Sequence, residues 1–160
     1  MQLLNLFIKK HLTNGYKLKM NSNFFVSIIR RIFQDYFDKK LILNAKKLSE
    51  INSKKKKISN LSEVEFQVFS QWGEDGIINW LTDKFSEIPK IFLEIGTEDY
   101  NESNTKFLLI NKNWDGYLIE ADNEAVKKIK KQRIYWKHNL KIENQFINKD
   151  NINNIIKKMG

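Results

Sequence analysis

The stretch IFLEIGTEDYNESNTKFLL, Ile91 to Leu109, limits what this chain can fold into more than any other. An apolar run (Ile91, Phe92, Leu93, Ile95) broken only by Glu94 reads as a strand; Gly96 stops it, a polar loop follows, and apolar residues resume at Phe107. The pattern then repeats. A strand over 90–95 leads to a helix over 103–112, a strand over 116–120 to a helix over 123–131, and a third strand over 133–138 to a helix near 151–158. Three βα units in succession predict an α/β fold with a parallel sheet and right-handed crossovers, whose ligands bind beyond the carboxyl ends of the strands. Gly96 and Glu120 both stand at such ends.

These two ends point to a nucleotide-type ligand. Glycine has no Cβ and tolerates positive φ, so the backbone at Gly96 can turn and approach a ligand closely. Glu120 follows 24 residues later, near the ~20-residue separation at which an acid meets ribose hydroxyls in dinucleotide-binding sheets. The plainer alternative is an ordinary βαβ unit with polar strand ends. Glu98, Asp99 and Glu102 in and after the turn oppose a pyrophosphate, which needs backbone N–H groups and no nearby negative charge. A cation without phosphates, such as S-adenosylmethionine with its sulfonium and ammonium, suits them better. Glu94 inside a strand is costly to bury unless paired or hydrogen-bonded, which also favours a site nearby.

Ahead of the sheet, VEFQVFSQWGEDGIINWLTDKF gives a short strand or extended segment at Val64, Phe66 and Val68, then a helix over 74–85 with Glu74 and Asp75 in its first turn. Further upstream charge becomes informative. Residues 1–57 hold 14 Lys+Arg against 3 Asp+Glu, net +11, whereas residues 58–160 hold 14 against 16, net −2, within an overall +9. The basicity therefore belongs to the N-terminal third, and the α/β part needs no polyanion; no nucleic-acid partner is expected. Apolar pairs at Phe24/Phe25, Ile28/Ile29, Ile32/Phe33 and Tyr36/Phe37 make a broad stripe on a helix. Such a stripe suits a membrane surface or packing on its own domain or a partner chain; packing is the preferred reading. INSKKKKISN, Ile51 to Asn60, reads as a solvated linker separating a basic helical extension, 1–60, from the α/β domain, 61–160.

The chain has no Cys and two His, His11 and His138, which excludes a disulfide framework and a thiolate metal site; no metal is expected. Absence of Cys fits a reducing, cytoplasmic compartment. No apolar run approaches the ~18–20 residues needed to span a bilayer, and MQLLNLFIKKHL has too short an apolar core for a signal peptide.

The blocks FSQWGEDGI, IFLEIGTEDYNESNT and NWDGYLIEAD, in this order and spacing between Glu65 and Leu140, resemble the N-terminal half of FkbM-type class I S-adenosylmethionine-dependent methyltransferases. The resemblance implies a Rossmann-like methyltransferase fold. It places Glu94, Gly96 and Thr97 in the first cofactor motif and Glu120 at the ribose, with Asp122 the alternative there. Ser70, Gln71, Glu74 and Asp75 would either help close the site, Gln71 and Glu74 as cofactor contacts, or cap a helix. The activity implied is O-methylation of a sugar in a glycan or surface polysaccharide, or of a small molecule. No residue is assigned as the base for the hydroxyl, and His138, at the end of the expected third strand, is more simply structural. Two departures stand out: Glu98 and Tyr100 occupy places where the family's turn has further glycines, and only three of seven strands are present, without the fourth that pairs beside the first. The chain therefore reads as an inactive fragment of such an enzyme, or else as a non-catalytic methyltransferase-like binding module.

Overall fold

The computed structural model describes residues 22–85 and 87–159. The expectations resting on residues 1–21, including His11, lie outside the described residues, as do the side chains of Phe24, Phe25, Ile28 and Ile32. The chain divides between Lys39 and Lys40 into two units. The first consists, in its described part, of the opening turns of a long helix, α1 (Ser22–Ser53).

In the second unit the last turns of α1 are fastened by small and polar residues. Ala45, Ser49 and Asn52 are buried on one stripe; Asn52 donates to the Val64 carbonyl at 2.9 Å, and Ser49 accepts from the Asn79 amide at 2.8 Å. The expected linker over 51–60 thus begins as helix, with Asn52 buried, and this unit starts about twenty residues before the boundary expected near 60. Lysines 54 to 57 follow outside the helix. Asn60 and Glu63 then reciprocate across a tight 3-10 turn, Leu61–Glu63: Asn60 Oδ1 accepts from the Ser62 N–H, and Glu63 Oε1 from the Asn60 N–H. Val64, the turn residue that closes this 3-10 helix, and Phe66, in the irregular stretch after it, are both buried, and neither joins the sheet, so the extended segment expected from Val64 is a turn at its start.

The α/β alternation follows as α2 (Glu74–Lys84), β1 (Ile91–Ile95), α3 (Lys106–Lys112), β2 (Asp115–Glu120), α4 (Asn123–Lys131), α5 (Arg133–Lys137), β3 (Leu140–Asn144) and α6 (Ile152–Met159). The strands form a three-stranded parallel sheet in the order β1-β2-β3. This matches the expected fold class at the level of a parallel α/β sheet with helices. One element differs: residues 133–137, expected as strand, form α5, and β3 begins at Leu140. Spacing explains the difference. Ile134 and Tyr135 are adjacent and both pack against the core, which one helical turn allows and a strand, pointing them to opposite faces, does not. Leu140 and Ile142 are two apart and fill one face of a strand.

Register sets the core. Phe92, Gly116 and Leu140 are aligned across the three strands, as are Glu94, Leu118 and Ile142. This face packs against Leu108 and Leu109 of α3 and Val126 and Ile129 of α4, with Tyr100 and Trp114 completing the cluster. Each such side chain contributes about 1.5–3 kcal/mol on full burial. Gly116 is required here, because a Cβ would overlap the Phe92 ring and the Leu140 methyl. Ala45, Phe66 and Phe107 form a second, smaller cluster, the two rings meeting edge-on at 5.2 Å. No helix among the described residues is long and apolar enough to cross a membrane.

Candidate functional site

The loop leaving β1 contains an unusual backbone. Gly96 has φ +73°, and its N–H donates to the Ile119 carbonyl at 2.9 Å, extending the β1–β2 ladder by one bond. A Cβ here would meet nothing within 4 Å, so the space over Gly96 is open. Glu98 and Tyr100 also lie in the left-handed region, at φ 48° and 60°. The two places at which the sequence departs from a glycine-rich turn thus keep a glycine-like backbone. An L-residue there costs about 1–2 kcal/mol.

Particular contacts hold the turn. The Tyr100 ring is fully buried in the main core, its N–H donates to the Thr97 carbonyl at 2.8 Å, and its carbonyl accepts from Lys106 Nζ at 2.7 Å. Burial pushes the Tyr100 phenol well above its ordinary range, with the Glu94 charge adding to it. Tyr100 therefore points under the loop, and its ring does not fill the space above. The Glu98 N–H donates to Glu120 Oε2 at 2.7 Å, and Glu120 Oε1 accepts from the Asp122 N–H at 2.9 Å. Glu120 is buried at the end of β2, clamping the β1 loop to its own. Each carboxylate oxygen retains acceptor capacity for a further donor.

Above the loop lies a cavity of about 310 Å³ lined by Gly96, Thr97, Glu98, Asp99, Asn101 and Glu102. Two expected residues, Gly96 and Thr97, line it. The Thr97 Oγ1 is buried beneath the lining with no hydrogen-bond partner among the protein atoms. Three carboxylates give the lining a negative balance. Among the described residues no three His, Asp or Glu side chains are grouped as a metal site.

The other expected residues stand further off. Glu94 accepts from Ser103 Oγ at 2.7 Å, from the Asn104 N–H at 3.0 Å and from Thr105 Oγ1, so it organises the far end of the loop as α3 begins. Asp122 is the N-cap of α4, its Oδ1 accepting from the Glu124 N–H at 2.9 Å. Gln71 and Glu74 do not line the cavity. Glu74 accepts from the Trp72 N–H at 2.9 Å, and backbone N–H groups, its own first and then that of Trp72, hold its carboxyl below the usual range. Asp75 carries more: its Oδ2 gathers the N–H groups of Val68, Phe69 and Ser70 at 2.7–2.8 Å together with the Ser70 hydroxyl at 2.8 Å. The Phe69 carbonyl in turn accepts from the Ser103 N–H at 2.9 Å, tying this turn to the loop. Asp75 thus fixes the 68–70 backbone through side chain to backbone bonds, and the Phe69 carbonyl passes that support to the loop at Ser103.

Sequence reasoning missed Ser103 and Thr105 as the partners of Glu94; the signal was a Ser-Asn-Thr run just ahead of a helix, hydroxyls suited to a helix start. His138 caps the end of α5 and precedes β3, which puts it at the amino end of its strand, away from the cavity. Its imidazole is held below the ordinary value by burial and then by the Lys137 charge. A second cavity of about 440 Å³ lies between the end of α2 and the residues that precede β1 and β2, including Lys90 and Trp114. Lys112 on its wall is spent on the Asn79 carbonyl, Thr82 Oγ1 and Asp83 at 3.0, 3.1 and 2.7 Å. Compared with protein-family models, curated proteins and solved structures, the chain finds no match.

Proposed function

We propose that the cavity over Gly96 binds S-adenosylmethionine and that the chain carries the cofactor-binding half of an O-methyltransferase resembling the FkbM type, acting on a sugar hydroxyl of a glycan or surface polysaccharide or on a small-molecule hydroxyl. The observation that carries this reading is the left-handed backbone at Gly96, Glu98 and Tyr100 beneath an open cavity at the carboxyl end of β1. Such a turn brings bare backbone to a ligand at the place where parallel sheets bind nucleosides. The lining selects among them: Glu98, Asp99 and Glu102 favour a cation and repel phosphate. Glu120, at the adjoining end of β2 rather than in the lining, keeps acceptor capacity for ribose hydroxyls beside its bonds to the Glu98 and Asp122 N–H groups. The cofactor, when bound, supplies a methyl group on a sulfonium sulfur; the residues named here hold and orient it. A non-catalytic methyltransferase-like binding module is the second reading, favoured by the non-glycine residues at 98 and 100.

Isothermal titration of the full chain tests the proposal. S-adenosylmethionine is expected to bind, S-adenosylhomocysteine more weakly for want of the sulfonium charge, and NAD not at all. A cooperatively folded chain that ignores S-adenosylmethionine, or prefers NAD, overturns it. Cofactor binding without methyl transfer to any glycan or small-molecule hydroxyl supports the second reading.

A further inference from the structure

The cavity of about 440 Å³ lies at the amino ends of β1 and β2, at the opposite end of the strands from the loop over Gly96, and has the size of a small-molecule site. Part of its polar lining is already satisfied. Lys112 pairs with Asp83 at 2.7 Å and donates to Thr82 Oγ1 at 3.1 Å, while the Thr82 hydroxyl donates to the Asn79 carbonyl at 2.9 Å. Two other lining residues keep donors in hand. Lys90 is exposed, and its ammonium forms no ion pair or hydrogen bond among the described residues. Trp114 is only 6% exposed, and its indole N–H meets no acceptor among the described residues, although a buried indole N–H ordinarily has one. That N–H is not among the buried polar atoms sealed off without a partner, so it opens onto space that a ligand can enter. The sheet holds the two residues side by side at the strand starts, where the N–H of Asp115, the residue after Trp114, donates to the Lys90 carbonyl at 2.9 Å.

Charge and apolar surface together define what fits. With Lys112 balanced by Asp83, Lys90 leaves the lining positive, which suits an anion. Phe85 and Ile88, 57 and 38% exposed, add an apolar wall that a bare inorganic ion would leave in water. We propose that this cavity binds a small carboxylate with an apolar body, the carboxylate accepting from the Lys90 ammonium and the Trp114 indole N–H and the body lying against Phe85 and Ile88. The site is independent of what the cavity over Gly96 binds.

NMR titration of the full chain with phenylacetate, its neutral counterpart phenylacetamide and inorganic phosphate tests it, read at the indole N–H resonance that Trp114→Phe removes. Phenylacetate is expected to move that resonance saturably with a roughly millimolar Kd or tighter. The amide is expected to bind about tenfold more weakly for want of charge-assisted bonds, and phosphate to leave the resonance in place. Lys90→Gln, at an exposed position where the thermal melt is expected to hold, should abolish the preference for carboxylate over amide, and Phe85→Ser, also exposed, should weaken both alike. An unmoved Trp114 resonance overturns the inference, and so does a carboxylate preference that survives Lys90→Gln. Phosphate binding as tightly as phenylacetate overturns it too, since the apolar wall would then take no part.

Discussion

Glu98 and Tyr100 share a left-handed backbone but hold it by different means. Tyr100 offsets its strain with a fully buried ring, whereas the bond from Glu98 to Glu120 uses the backbone N–H, which any residue would supply. The exposed Glu98 side chain adds only a third carboxylate to the cavity. Substitution by glycine is therefore expected to act with opposite signs. Glu98→Gly should stabilise by about 0.5–1 kcal/mol through relieved strain, while Tyr100→Gly should cost about 3–5 kcal/mol through the lost ring. Urea melts of both variants measure this; a destabilised Glu98→Gly would show that the carboxylate itself holds the turn. His138 gives a pH dependence. Its folded pKa is below the ordinary 6.5, so between the two values the unfolded chain binds more protons and stability rises with pH. The contribution is complete above the unfolded value and fades as pH falls toward the folded one. His138→Gln should flatten the stability profile across that window, and an unchanged profile would assign the slope to other groups.

Between elements, the contact of α2 with residues 64–66 before it depends on one missing methyl. A Cβ on Gly76 would overlap the Val64 carbonyl oxygen and the Phe66 amide nitrogen, and the Gly76 N–H donates to the Phe66 carbonyl at 3.1 Å. Backbone cannot move aside as a flexible side chain can. Gly76→Ala, harmless in most helices, should destabilise by about 2–4 kcal/mol, and a circular dichroism melt within error of the parent would show that the segment shifts freely. That role was not legible in the sequence, where Gly76 is simply a glycine in a helical pattern. Other elements were legible because their signals agree locally. α4 has an Asp cap, an apolar stripe and a basic last turn, and its bounds are those expected. β1 was marked by an apolar run ending at glycine. The third strand was misplaced because aromatic and β-branched residues at 134–136 imitate a strand, while the choice between strand and turn is made by packing on a core that pattern alone does not contain. For the candidate site, sequence put Gly96 and Glu120 at the carboxyl ends of the first two strands, and both are there in the fold, whereas Thr97 was named only through the resemblance. It left Asp75 open between closing a site and capping a helix, since nothing in local spacing says that three amides from 68–70 converge on it.

At the scale of the α/β unit, the sheet has one well-covered face and one less so. Phe92, Leu118, Leu140 and Ile142 face the helices, whereas on the alternate face Ile91 and Ile95 are 41 and 47% exposed. Both belong to β1, which among the described residues pairs only with β2 and so stands at the sheet edge. Unpaired backbone beside exposed isoleucines is a template for another strand. On the proposed methyltransferase reading a further strand belongs there; left open, the same edge is where copies of the chain would associate as their concentration rises. Ile91→Lys together with Ile95→Lys sets charge along this edge without touching the buried face, and Lys on an edge opposes pairing. The double variant is expected to raise the concentration at which turbidity appears, while stability changes by only about 0.5 kcal/mol per site, as for surface substitutions. Sedimentation velocity and a denaturant melt on the same samples separate the outcomes. A large loss of stability would show that the isoleucines are packed more closely than their exposure implies, and an unchanged turbidity threshold would move the self-association surface away from β1.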